Sequence, residues 1–544
     1  MKVVTLGTSA KEEIESKVAL VKEICECKGD INKFNDFLEN YEESDKNSLV
    51  DLYEFINRTF KTQDLREEDY LFLTSILNEG LTECILSEKA RIVASAGSIS
   101  RSSGTVTEVY NKRNDLKKNI KYASTVIGYG HKTIAEHDYI VLALENVTPI
   151  VEQTIIEYRL TSFTIKSRRN VDFRNVGFYV PEFKDKNGNI LENNEELQTI
   201  YKNYMKSLFD KYGNFVDEGL PVEDCRYILP YSYYSNIIMG CDANELLRIA
   251  SDLLYGKLSK IDELKEFGSK LKNIIRENAP YLLEELDKEK SKNYYEDKFK
   301  FLDGKINSND AELIKKPHLT YFTQSADKIV LCNILMSRYQ FSRKKAEEMY
   351  EKLLKEDATI GEQMIQALIR SKNQRELEQV IFSFETPISL AVLTHITRHR
   401  MHSLLVPDFV PLWNMKNYIT PNTIAVNHKN EYEEIFDKNN LMVQSFKKHG
   451  VREEDLVYFY LSGNACNIYT TMNGKALVWF SRMRCCNKAQ WEMKNIADTF
   501  AKDVKSVEPL IGKCIGATCE VLGYCPEGKD SCKNRGVVTK KLVK

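Results

Sequence analysis

The sequence predicts an α+β protein made of two tandem copies of one unit, each an antiparallel sheet with long helices, plus an N-terminal helical extension. Short β-type apolar runs stand beside long helical segments without the regular strand-helix-strand alternation of a doubly wound sheet. The same order of features occurs twice. Between the two occurrences lies a polar stretch crowded with Lys, Glu, Asp and Asn. A chain of 544 residues is also too long for a single hydrophobic core.

Residues 1–86 show helical apolar spacing (Val18, Leu20, Val21, Ile24) and no chemical signature, and are expected to form the extension. The first unit, 87–283, runs from the apolar stretch 139–144 to Tyr158-Arg159-Leu160-Thr161-Ser162, then Gly177-Phe178-Tyr179-Val180-Pro181. A long helical segment follows, then Arg226-Tyr227-Ile228-Leu229-Pro230 and a closing helix. Residues 284–315 read as a linker, marked by the turn residues Asp303, Gly304, Asn307 and Ser308. The second unit, 316–512, repeats the order: 380–384, Arg398-His399-Arg400-Met401-His402-Ser403, Asn417-Tyr418-Ile419-Thr420-Pro421, a helix, Tyr460-Leu461-Ser462, and a closing helix. Residues 513–544 form a Cys-rich tail.

Composition narrows the class. With 42% hydrophobic and 29% charged residues the chain resembles an ordinary globular protein rather than a disordered one. Its 77 basic and 79 acidic residues nearly cancel, so neither a nucleic-acid backbone nor an anionic membrane is the expected partner, and any phosphate site must be local. The amino terminus has no basic start with an apolar core, and no run approaches the roughly 18 apolar residues of a membrane helix; a cytoplasmic location is expected. Thirteen cysteines, an odd number spread over a long chain, read as reduced thiols rather than a disulfide framework.

Three clusters can carry chemistry. Arg398-His399-Arg400, with Ser403 following, sets two planar guanidiniums around a group able to move a proton near neutral pH; alone, the triplet also fits a solvated basic corner. Ser167-Arg168-Arg169 with Arg226 supplies a hydroxyl and arginines suited to one phosphate, or a basic surface run. Gly130-His131 through Glu136-His137 fits either a metal site or a capped helix start with one buried His. Ser167 has no His or Asp beside it in sequence, which favours hydrogen bonding over nucleophilic attack.

Taken in order, these pieces resemble the flavin-dependent thymidylate synthases. The family pattern is RHR, two residues, Ser, one residue, Asn, two residues, Ser, one residue, Arg, with a later Arg shortly before Ala-Gln-Trp-Glu. The first copy is similar through His131, Arg159, Ser162, Ser167, Arg169, residues 178–181 and Arg226 with Leu229-Pro230. The second is similar through Glu378, Arg398-His399-Arg400, Ser403, Asn473, Arg484 and Ala489-Gln490-Trp491-Glu492. Each has lost what the other keeps. The first carries Glu157, Tyr158, Thr164 and Leu253 at family Arg, His, Asn and late-Arg positions; the second carries Leu405, Asp408, Val410 and Val457 where Asn, Ser, Arg and the equivalent of Arg226 would stand. Ile165 and Arg168 replace a Glu and a Gly or Gln, and His395 a Gln, at positions that in the family help hold the base.

The resemblance implies FAD as cofactor, with NADPH and methylenetetrahydrofolate as co-substrates, converting dUMP to dTMP in a composite site. Ser167, Arg169, Arg226, Arg398 and Arg484 would bind the nucleotide, with Ser167 and Arg484 closest to the chemistry. Flavin would meet His131, Arg398, His399, Arg400 and Asn473. Because family sites form between subunits, a homodimer reproducing a tetramer of single copies is expected. The rivals are a catalytically silent nucleotide-binding scaffold and an enzyme acting on another pyrimidine nucleotide. Cys514, Cys519, Cys525 and Cys532 bring four thiols within 19 residues and are a candidate zinc set, although their gaps exceed the usual two to four residues.

Overall fold

Among the described residues, two four-stranded antiparallel sheets have the same topology. The strands in chain order are β1 (Lys2–Thr8), β2 (Tyr139–Val147), β3 (Ser162–Ile165), β4 (Ser235–Asp242), β5 (His318–Phe322), β6 (Ile381–Ser389), β7 (His402–Leu405) and β8 (Ala465–Asn473). One sheet is ordered β1-β2-β4-β3, the other β5-β6-β8-β7, so the expected duplication holds at the level of strand order. This computed structural model describes residues 1–8, 12–41, 43–60, 73, 78–113, 115–290, 299–302, 305 and 312–532. The linker residues Asp303, Gly304, Asn307 and Ser308 and the tail beyond Cys532 lie outside the described residues.

The alternation of side chains along a strand makes each sheet one-sided. In the second sheet, Ile381 pairs with Asn473 and Ser389 with Ala465, so that Phe382, Phe384 and Ile388 share a buried face with Met472, Thr470 and Cys466. The helix Trp491–Val507 covers that face, Phe500 stacking on Phe384 with ring centroids 3.8 Å apart.

The chain divides into two compact units whose borders differ from those of the sequence repeats. The first contains 1–147, 160–165 and 236–301; the second contains 148–159, 166–235 and 302–544. In the first unit, β1 precedes the expected N-terminal helices and pairs with β2, Lys2 opposite Glu145. The helices Glu12–Glu26, Ile31–Leu38 and Glu43–Thr59 are therefore an insertion after the edge strand, a feature sequence reading missed because seven residues of weak pattern do not announce a strand. They gather their own apolar cluster around Val21, Ile24, Phe34, Leu52 and Ile56.

The second unit takes a long piece of the first copy into its core. Pro230 bridges Leu461, and these positions are equivalent in the two repeats, four residues beyond Arg226 and Val457 respectively. Such self-pairing of equivalent positions is what a local two-fold relation requires. Around it Tyr227 donates to Glu492 (2.6 Å), Gln490 donates to Tyr227 (3.0 Å) and Trp491 donates to Asp224 (2.8 Å). Buried polar groups demand partners, and here each copy satisfies those of the other.

Candidate active site

Arg398, His399, Arg400 and Asn473, the residues expected to meet flavin, sit where elements of the second unit end. Helix Leu390–Thr397 stops at Arg398, whose backbone is still helical, and Arg398-His399-Arg400 lead directly into β7. From the other side, β8 ends at Asn473, whose side chain accepts the N–H of Ala476 (2.8 Å) and so starts the helix Gly474–Arg484, a standard N-cap. These ends enclose a cavity of about 450 Å³ lined by Arg398, His399, Arg400, Asn473, Lys475 and Trp479 among others. Lys475 bonds Glu378 at 2.6 Å. A smaller cavity, about 310 Å³ and lined by Cys485, Asp498, Lys502 and Glu520 among others, contains none of the predicted site residues.

His399 is a neutral acceptor. The Nε of Arg484 donates to its Nε2 at 2.9 Å, which places the imidazole proton on Nδ1. Burial, then the neighbouring Arg484 charge, pushes its pKa down to about 3. Arg484 also donates to the carbonyl of His395 (3.0 Å); burial, then Arg398 and Arg169, lower its own pKa to about 10. The guanidinium thus stays charged at neutral pH and is aimed by two fixed acceptors.

Ser167, Arg169 and Arg226 of the first copy, expected to hold a phosphate, lie in this same unit. Ser167 Oγ accepts from the backbone N–H of Arg169 (3.3 Å) and from Asn170 (3.2 Å), forming a local turn. Arg169 pairs with Glu223 at 2.6 Å and donates to the carbonyl of Lys488 (3.3 Å), a contact between copies. Arg226 is 2% exposed; its Nε donates to the Glu223 carbonyl (3.1 Å), and its Nη2 has no hydrogen-bond partner. Burial, together with nearby Arg168, lowers its pKa. A buried guanidinium nitrogen left open is costly unless an anion completes it.

His395 shows how these groups converge. Burial and then the charges of Arg226, Arg484, Arg398 and Arg168 hold its pKa well below the usual value. Four guanidiniums, one of them from each of the loops 166–169 and 223–229, therefore act on one imidazole. Arg168 itself is buried: it pairs with Glu152 (2.9 Å), donates to Tyr233 and donates to Thr394 (3.3 Å). Although burial lowers its pKa, the Glu152 carboxylate and the Tyr233 and Tyr231 phenols raise it overall.

Of the residues expected at the site, Ser167, Arg169, Arg226, Arg398, His399, Arg400, Asn473 and Arg484 all lie in the second unit; the sequence does not single out Glu152, Glu223 and Tyr233, which hold the arginines. Nor does it single out Lys475 and Trp479, for which the N-cap at Asn473 was an available signal, since it fixes which residues occupy the helix's first turns. Glu492 of the Ala-Gln-Trp-Glu run proves a core acceptor, taking bonds from Ser389 N (2.8 Å), Ser389 Oγ (2.7 Å) and Tyr227. His131 belongs to the first unit, as the N-cap residue of the 3-10 turn Lys132–His137, while the cavity lining comes from the second.

The zinc expectation gains no support from the arrangement of the thiols. Among the described residues no three His, Cys, Asp or Glu side chains converge as a metal site. Cys514 is fully buried with its pKa pushed up to about 12 by burial, an inert packing thiol, while Cys532 accepts from Asn487 at 3.7 Å. The wide gaps put these thiols on separate turns of the tail.

The thymidylate synthase complementing protein family matches the chain twice, over residues 83–281 and 318–510. The chain is similar to the flavin-dependent thymidylate synthase of Clostridium tetani, 28% identical over 237 residues, covering 40% of this chain and 92% of that one. Similar too is the enzyme of the same description from Nitratidesulfovibrio vulgaris, 32% identical over 178 residues, 30% of this chain and 72% of the relative. A third, from Sulfolobus acidocaldarius, is 30% identical over 209 residues, 38% and 78% of the two chains. Among solved structures, a UMP/dUMP methylase PolB from Streptomyces cacaoi bound with 5-Br dUMP aligns with TM-score 0.31 and 15% identity, over 38% of this chain and 94% of that one. The twofold family match defines a flavin-dependent enzyme. The chain belongs to the flavin-dependent thymidylate synthase family, as a tandem duplicate.

Proposed function

We propose that this protein methylates dUMP reductively to dTMP, using FAD, methylenetetrahydrofolate and NADPH, at a composite site to which both copies contribute. The observation that carries the reading is the meeting of Arg169 and Arg226 from the first copy with Arg484 and His395 from the second in one unit. Four guanidiniums offset by the Glu152 carboxylate leave an excess positive charge that suits a nucleoside monophosphate dianion.

The pocket residues fit a flavin nucleotide: Arg398, Arg400 and Lys475 supply positive charge for its diphosphate, and Trp479 supplies an aromatic wall. When bound, FAD would provide the reducing equivalents. Arg226, Arg169 and Ser167 would bind the phosphate of dUMP. Arg484, fixed by His399 and His395, would orient the pyrimidine and stabilise negative charge developing on its carbonyl as C5 becomes nucleophilic. C5 gains a methylene carbon from the folate and loses its hydrogen as a proton. The hydride that completes the methyl group would come from reduced flavin held by Arg398, Arg400 and Lys475, with tetrahydrofolate leaving and NADPH re-reducing the flavin. No side-chain nucleophile is needed, in keeping with Ser167 bonding only to its own turn among the described contacts.

A homodimer belongs to this reading. Met401 and Trp479 line the cavity yet are 75% and 49% exposed, an unfinished apolar wall that a second copy would cover. Buried Arg168, with its Glu152 partner, favours one alternative: a related pyrimidine nucleotide whose base differs at the groups this arginine addresses. The test is NADPH oxidation and dTMP formation by FAD-loaded protein under low oxygen, across dUMP, UMP and dCMP. Oxidation stimulated by dUMP with dTMP produced is expected; methylation of another nucleotide would shift the assignment to the alternative, and no flavin binding would remove it.

A further inference from the structure

We infer that each chain carries one flavin site and one nucleotide site, the second pair that a duplication would create having been closed by charge reversal in one copy and cation loss in the other. This rests on the flavin-dependent reading above and adds a count to it.

The corner that holds the flavin cavity has a counterpart in the first unit, matched in three hydrogen bonds. Asp242 ends β4 and accepts the N–H of Glu245 at 2.8 Å, as Asn473 ends β8 and accepts that of Ala476 at 2.8 Å. The next backbone contact is also kept: Ala243 N donates to Asp138 O (2.8 Å) where Gly474 N donates to Val380 O (2.9 Å). Asn244 donates to Glu136 (3.3 Å) where Lys475 donates to Glu378 (2.6 Å). The backbone frame is therefore conserved between the copies and the charges are not. The second-unit corner sets Arg398, Arg400 and Lys475 against Glu378. The first-unit corner sets Glu136, Asp242 and Glu245 against Arg248, with Glu245 3% exposed. In sequence, Glu157 and Tyr158 stand for Arg398 and His399, so that of the Arg-His-Arg triplet the first copy keeps only Arg159. A flavin dinucleotide brings a doubly negative diphosphate, and like charges at such range oppose binding.

The nucleotide half fails separately in the second copy. Val457 opens the 3-10 turn Val457–Phe459 as Arg226 opens Arg226–Ile228, and Val410 and Asp408 stand for Arg169 and Ser167. A phosphate there would meet two valines and a carboxylate in place of two guanidiniums and a hydroxyl.

The test counts ligands on the full-length protein. Protein stripped of flavin, reloaded with excess FAD and passed through a desalting column is expected to carry one FAD per chain by absorbance, and equilibrium dialysis is expected to give one dUMP per chain. Glu245→Gln should leave both counts at one. Arg400→Ala should take the flavin count toward zero. Two flavins per chain in the native protein, or one retained in Arg400→Ala, would overturn the inference. Zero flavin with intact dUMP binding would strike the flavin reading itself, and the count with it.

Discussion

Arg226 and Val457 occupy one position of a repeated fold and have opposite fates. Each opens a single 3-10 turn, each is buried, and each is followed four residues on by one partner of the Pro230–Leu461 bridge. The valine is an ordinary core residue. The arginine keeps a buried nitrogen without a partner. Since the same backbone tolerates the apolar side chain, the turn does not require the charge, and a buried cation retained without structural need points to a ligand.

The largest effect should come from breaking the difference at its source. Arg226→Met removes the open cation, and loss of a buried charge that pairs with a ligand costs roughly 2–5 kcal/mol, or about 30- to several thousand-fold in nucleotide affinity. Isothermal titration with dUMP measures it, and unchanged affinity would leave Arg226 a structural oddity. Arg169→Ala and Arg484→Ala should weaken dUMP binding by at least tenfold while FAD binding to Arg169→Ala stays normal, because Arg169 touches Glu223 and the Lys488 carbonyl and is not among the residues lining the flavin cavity.

An intermediate effect is expected from pH. His402, 5% exposed and bonded to Thr470 at 2.9 Å, has its pKa lowered to about 4 by burial, then by Arg159. The unfolded chain protonates this ring near 6.5, earlier than the folded protein does. The stabilisation is complete above that value and is lost as pH falls toward 4. His399, with a pKa near 3, acts in the same direction. Thermal unfolding midpoints should drop between pH 6.5 and 4, and His402→Gln should flatten the slope. A midpoint independent of pH in that window would show that neither ring stays neutral.

Smaller still, Lys475→Ala should weaken FAD a few-fold, whereas Asn244→Ala, its counterpart in the first copy, should leave FAD affinity unchanged. Equal effects would erase the distinction between the corners. At the low end, EDTA should leave the unfolding midpoint unmoved, as expected from thiols that do not converge; a drop of several degrees would restore the tail as a metal site.

How much of this could be read from sequence depended on the kind of signal. The repeat was legible because spacing survives divergence, and Arg398-His399-Arg400 because it is a contiguous triplet, whereas Asn473 and Arg484 stood out only through the family resemblance. Glu152, Glu223 and Tyr233 were not, since they hold the arginines through contacts set by tertiary folding: Arg168 and Tyr233 are 65 residues apart, and Arg169 and Glu223 are 54 apart. The border of the compact units was hidden for the same reason. Residues 166–235 belong to the first copy by descent and to the second unit by packing, and no local pattern marks that exchange.

That exchange also sets a timetable for synthesis. Tyr227 is separated by 265 residues from Glu492, the carboxylate that receives its hydroxyl. At about 5–20 residues per second a ribosome needs roughly 15–50 s to bridge that interval. Throughout it the nascent chain holds the segment 166–235, with its arginines and unburied tyrosines, without its future core. Chaperone capture should therefore concentrate on chains stalled between residues 235 and 492.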